Sequence, residues 1–131
     1  MPALILASAS PRRSELLTQL GLIHTIQVAD IDENPLGNEA PADYVLRVAA
    51  AKASAILPQH PIDSVVLAAD TSVVLGDTIM GKPQDLAHAI AMLSQLSAST
   101  HQVYSAVSVH GKRVQQIISI SNVTFRAIST Q

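Results

Sequence analysis

Residues 3–21 constrain this chain to begin as a strand, a tight turn and a helix. The apolar run Ala3-Leu4-Ile5-Leu6 breaks into Ala7-Ser8-Ala9-Ser10-Pro11-Arg12-Arg13, and the amphipathic pattern Leu16, Leu17, Leu20 then stops at Gly21. Ser10 suits the N-cap, and Pro11 suits the first helical position because its missing N–H would be unpaired there anyway. Arg12 and Arg13 fall in the first turn, at the positive end of the helix dipole, where acids are preferred. Free backbone N–H groups, serine hydroxyls and guanidinium forks converging on one spot suit a phosphate. Two solvated arginines on a capped surface helix are the other reading, and this segment alone does not separate the two.

Strand-like and helix-like runs alternate along the rest of the chain, the pattern of an α/β fold. Thr25–Val28 reads as a strand and Asp30–Pro35 as a polar loop; Pro41 starts a helix running to about Leu57, closed by Pro58. Ser64–Asp70 is a buried strand that continues through Ser72–Leu75, turns at Gly76-Asp77 and returns over Thr78–Met80. Pro83 opens a further helix, and runs at about 101–109 and 113–125 pair across His110-Gly111-Lys112 as a long hairpin. The expected architecture is a mixed twisted sheet flanked by helices. The 131 residues suffice for a single domain, 1–131, with a real core. That hairpin leaves an edge to be covered, and Ala127–Thr130 reads as the approach to another element. A chain shortened at its C-terminal end or a homodimer is expected.

Composition removes several function classes. With one Phe, two Tyr and no Trp, the core is aliphatic and base-stacking platforms are excluded; a net charge of −2 without a basic run argues against a nucleic-acid polymer as partner. The absence of Cys excludes disulfides, thiolate catalysis and zinc–thiolate sites. No stretch is long enough to span a bilayer, so a cytoplasmic protein without a membrane partner is expected.

Asp70 interrupts the apolar run Val65–Leu75, where desolvating a carboxylate is costly without a partner cation. Ligands gather at the carboxyl ends of strands in open α/β sheets, and Asp70 lies where the first buried run ends. A metal ligand or a proton acceptor fits that place, as does a structural Asp bonded to backbone N–H groups. Lys52 shares a helix face with Val45, Val48 and Ile56, so it either snorkels to the surface or points into a cleft. Gly81-Lys82-Pro83 presents Lys82 on a rigid turn before a helix, again suited to an anion, but without the spacing of a Walker loop. Glu33, with Asp30 and Asp32, forms an acidic loop that is either solvated or supplies oxygen ligands to Mg²⁺. The histidines show no ligand spacing, and Ser8 and Ser10 lack a His partner or a nucleophile elbow. Four cations (Arg12, Arg13, Lys52, Lys82) and two carboxylates (Glu33, Asp70) at element ends or unexpected faces make a phosphoryl or nucleotidyl hydrolase site.

Ser8-Ala9-Ser10-Pro11-Arg12-Arg13 with Glu15-Leu16-Leu17, the Asp32-Glu33 loop, Arg47, Lys52-Ala53, Ala69-Asp70-Thr71 and Gly81-Lys82-Pro83 occur in an order that resembles the Maf family of nucleoside triphosphate pyrophosphatases. The resemblance implies an α/β sheet with a two-lobed cleft, like that of inosine triphosphatases. It also implies hydrolysis between the α- and β-phosphates with Mg²⁺ or Mn²⁺, in a housecleaning or division-linked (septum formation) role. By the same resemblance Asp70 is the base that activates water and, with Glu33, a metal ligand. Arg12, Arg13, Lys52 and Lys82 bind phosphates, Ser8 lines the loop, and Thr71 completes the substrate contacts. Arg12 and Thr71 stand where the subgroup acting on 7-methylguanosine triphosphate carries Trp and Gln, so dTTP and UTP are the implied substrates. Family members continue past Thr124-Phe125-Arg126 into a helix and a Gly-rich segment with a base-contacting Gln, which implies a chain shortened at its C-terminal end. A shortened homologue that binds nucleotide or a protein partner without turnover is the alternative.

Overall fold

The computed structural model describes residues 3–76, 78–80, 85–96 and 100–124. Strand β1 (Leu4–Ala7) leads into α1 (Pro11–Gln19), and a two-residue β2 (Thr25–Ile26) follows. Helix α2 (Pro41–Ile56) runs into a short 3₁₀ turn (Leu57–Gln59), then come β3 (Val65–Leu75) and β4 (Thr78–Met80). Helix α3 (Leu86–Leu96) precedes β5 (Thr100–His110) and β6 (Val114–Thr124). The α/β class, the pairing of β5 with β6 and the Pro41 helix start agree with the sequence reading. Strand β2 is shorter than expected, because beyond Ile26 only one ladder bond continues, from Gln27 N to Leu6 O. Pro83 lies outside the described residues, and α3 is described from Leu86.

The six strands form one sheet in the order β2-β1-β3-β5-β6, with β4 on β3. Strand β1 is parallel to β2 and β3, whereas β4, β5 and β6 join by antiparallel pairs. One edge of β3 is continuous with β5 from Val66 to Val74. Its other edge changes partner: Val65–Ala68 pair with β1 and Val73–Leu75 pair with β4. Between those ladders, residues 69–72 have no strand beside them on that edge among the described residues. Asp70 therefore sits in the middle of an eleven-residue strand, the Val65–Leu75 run of the sequence reading, and not at a strand's carboxyl end. Local periodicity cannot encode the exchange of neighbours. What ends near Asp70 is the parallel ladder of β1.

Helix α2 covers one face of this sheet. Its stripe Val45, Val48, Ala49, Ala53 and Ile56 is almost wholly inaccessible and meets Ile5, Ala7, Val66, Ala68 and Ala106. Alanines on both sides of the contact let the helix axis lie close to the strands. Each buried Val or Ile contributes roughly 1.5–3 kcal/mol, so this interface is what fixes α2 on the sheet. On the opposite face α1 buries Leu17 and leaves Leu16 exposed, as is Leu20 just past its end. The C-terminal end of α1 closes with Gly21 at φ 78°, its N–H bonded to Thr18 O at 3.0 Å while Leu22 N reaches Leu17 O at 2.9 Å. Among the described residues, no helix is long and apolar enough to cross a membrane.

Candidate active site

The strand–turn–helix unit builds one wall. Ser10 is extended and caps α1, its Oγ accepting from Arg13 N at 3.5 Å, with Pro11 in the first turn. Ser8 is buried at the end of β1, and its Oγ accepts from Ser10 N at 3.1 Å and from Arg13 Nη1 at 3.0 Å. The other arm of the Arg13 guanidinium donates to Thr71 Oγ1 at 3.1 Å, and Thr71 Oγ1 lies 3.2 Å from Ser105 Oγ. Arg13 is thus held across the turn by two hydroxyls. No carboxylate pairs with it among the described residues, which leaves its charge and remaining donors for an anion. Arg12 is exposed one position earlier and does not join this network.

The second wall comes from α2 and the gap in β3. Because Lys52 continues the stripe of Val45 and Val48, its stem lies against the sheet and only 16% of its side chain is accessible. The Nζ atom donates to Ala69 O at 3.2 Å and lies 3.3 Å from Glu33 Oε1 and 3.5 Å from Asp70 Oδ1. Three ammonium donors therefore meet three oxygens. The cleft, not the surface, receives this lysine, because the missing strand beside residues 69–72 opens both the room and an unpaired carbonyl.

Asp70 is 8% exposed, and burial pushes its carboxyl above the ordinary carboxylate range. The Glu33 carboxylate pushes the same way, while Lys52 and Arg13 oppose. Ser72 Oγ stands 3.5 Å from Asp70 Oδ2. Glu33 is half-exposed at the mouth. Two hollows share Glu33: one of about 240 Å³ between Ser8, Ser10, Arg13 and Lys52, and one of about 360 Å³ bounded by Asn34, Tyr44, Asp70, Thr71 and Ile79. Two carboxylates around one ammonium leave net negative charge. That donor set of hard oxygens fits a Mg²⁺- or Mn²⁺-like ion, which takes one or two carboxylates and completes its shell with water or substrate phosphate. Among the described residues no group of three His, Asp or Glu forms a closed metal cage.

The structure brings together Ser8, Arg13, Glu33, Lys52, Asp70 and Thr71 from the sequence-derived set. Arg12 is exposed and makes none of these bonds, and Lys82 of Gly81-Lys82-Pro83 lies outside the described residues. Sequence reasoning overlooked Tyr44, Glu39, Ser105 and the Ala69 carbonyl. Tyr44 and Arg47 share a helix face at a spacing of three, a signal that was available. The Glu39–Arg47 pair spans a helix start and has no periodic signature.

The sequence matches the Maf family, described as Maf-like protein, over residues 3–131. A dTTP/UTP pyrophosphatase of Myxococcus xanthus is 49% identical over 127 residues, which are 97% of this chain and 64% of that protein. One of Methylococcus capsulatus is 47% identical over 129 residues, 98% of this chain and 64% of that protein. The chain thus spans just under two thirds of the length of these curated relatives. The structure of the Staphylococcus aureus Ham1 protein superposes with a TM-score of 0.58 at 12% identity, over 92% of this chain and 70% of that one, a likeness of fold alone. With that match and the hydroxyl–guanidinium turn facing a lysine-bridged carboxylate pair, the chain belongs to the Maf family.

Proposed function

We propose that this chain carries the hydrolytic site of a nucleoside triphosphate pyrophosphatase acting on dTTP and UTP. One observation carries the reading: Lys52 Nζ lies between Glu33 and Asp70, at 3.3 and 3.5 Å, while Arg13 stands nearby without a carboxylate. Support also comes from relatives at 49% and 47% identity that bear the name dTTP/UTP pyrophosphatase. In this reading Arg13, Ser8 and the first turn of α1 hold the phosphates, joined by Arg12 and Lys82, and Thr71 fixes the guanidinium. The hollow beside Tyr44 receives the rest of the nucleotide.

Asp70 takes the proton of a water molecule as its oxygen attacks the α-phosphorus. The bond from that phosphorus to the bridging oxygen breaks, and pyrophosphate leaves with the electron pair. Burial raises the affinity of Asp70 for that proton, which brings a carboxylate closer to the working pH of a general base. Lys52 offsets the charge of both carboxylates and opposes the upward push of burial on Asp70. A divalent ion held by Glu33 and Asp70 would supply further neutralisation of phosphate charge.

The test is pyrophosphate release from dTTP, UTP, CTP, GTP and 7-methyl-GTP with Mg²⁺ or Mn²⁺. Release from dTTP and UTP is the expected result. Binding of nucleotide without release would make the chain a nucleotide-binding homologue without turnover.

A further inference from the structure

The acidic loop that carries Glu33 belongs to no strand or helix, yet its carboxylate stands 3.3 Å from Lys52. Helix α2 grips the loop at two successive backbone carbonyls, and Glu39, just ahead of the helix, takes a third backbone point. Tyr44 Oη donates to Glu33 O at 2.6 Å, and Arg47 Nη2 donates to Asn34 O at 3.1 Å. Leu36 N donates to Glu39 Oε1 at 3.0 Å. Glu39 is itself clamped by Arg47, through Nε to Oε2 at 2.7 Å and Nη2 to Oε1 at 3.0 Å. The Arg47 guanidinium also stacks over the Tyr44 ring, 5.7 Å from its centroid. This carboxylate is 8% accessible at the side chain, and its bond to Arg47 holds it below its ordinary range, so the clamp stays charged at neutral pH. Only an Arg can serve two carboxylate oxygens and a carbonyl from one planar head; a Lys presents a point charge.

We infer that Arg47, with Glu39 and Tyr44, is a positioning device that holds the Glu33 carboxylate opposite Asp70. The inference rests on the proposed role of Glu33 as a metal-holding residue. Tyr44, Arg47 and Lys52 ride on one helix, so the device fixes Glu33 relative to the cation it meets and not merely relative to its own loop. Glu33 carries the ligand chemistry. Arg47 acts through the Asn34 carbonyl and Glu39, and Tyr44 acts through the Glu33 carbonyl.

The test is a thermodynamic cycle on the full chain, with Mn²⁺ alone as probe and binding read by water-proton relaxation. Arg47→Met weakens Mn²⁺ binding by about 10-fold or more, the usual effect of losing a group that orients a ligand. In a Glu33→Gln background the same substitution has no further effect. Amide exchange at Asn34 and Leu36 accelerates in Arg47→Met, a readout that owes nothing to turnover. If Arg47→Met fails to fold, Tyr44→Phe removes a single hydroxyl and repeats the cycle at smaller amplitude. Unchanged affinity in the variants, or an equal loss with and without Glu33, overturns the inference while the parent still binds Mn²⁺. A parent chain that binds no Mn²⁺ brings down the proposed metal role of Glu33 and this inference with it.

Discussion

Two cations on helix α2, Arg47 and Lys52, meet carboxylates in opposite ways. Arg47 has one partner, Glu39, in a two-pronged pair at the mouth of the loop, and Glu39 is held below its ordinary range. Lys52 has two carboxylates to serve, and the more buried one, Asp70, is held above its ordinary range. The first arrangement is charge-balanced and suits holding a chain in place. The second is short of positive charge and largely buried, a state a stability-driven design would avoid and a site that receives a cation or takes up a proton requires.

Substitutions separate these two arrangements. The largest effect is expected at Asp70: Asp70→Asn lowers pyrophosphate release by about 10²–10⁴-fold, the usual contribution of a general base, and steady-state assays of the proposed substrates measure it. A fully active Asp70→Asn variant would remove the base from the scheme. Next is Lys52→Met, which strands two carboxylates and the Ala69 carbonyl; a loss of about 2–3 kcal/mol in chemical denaturation is expected from partners left without a charged donor. Adding Asp70→Asn to Lys52→Met restores part of that loss.

Acid separates the two carboxylates by sign. The raised value of Asp70 means that its contribution to stability is fully present below its unfolded value and is lost as pH rises through its folded one. Asp70→Asn should therefore gain on the parent in thermal midpoint as pH is raised from 4 to 7. Glu39 runs the other way: its contribution is present above its unfolded value and lost as pH falls through the lowered folded one. Glu39→Gln should lose at neutral pH and converge with the parent in acid, and its effect should shrink in high salt because the Arg47 end of the pair remains partly open to solvent. Two pH series with the same slope would erase the distinction. The smallest change is Ser10→Ala, about 0.5 kcal/mol for an N-cap bond stretched to 3.5 Å.

Much of this arrangement was legible in the sequence. The cap at Ser10, the start of α2 at Pro41 and the β5–β6 hairpin follow from residue chemistry within a few positions, where local rules govern. Asp70 and Lys52 were conspicuous as polar residues in apolar patterns. Where they would point was not legible, because it depends on β3 exchanging β1 for β4 as its neighbour, a matter of strand order. The grip of Tyr44, Glu39 and Arg47 on residues 33–36 was hidden for a related reason. Its bonds run from side chains to backbone carbonyls and an amide, and no residue pattern marks a carbonyl.

At Ala69 a lysine head does what a neighbouring strand does elsewhere in the sheet. The backbone beside Asp70 is thereby tied to the state of a side chain that also faces the ligand. Anything that draws the Lys52 ammonium toward itself takes the donor from the Ala69 carbonyl, so filling the cleft also changes the bonding of the strand beneath it. The centre of β3 is in that sense not only a floor beneath the site but a partner in its bonding.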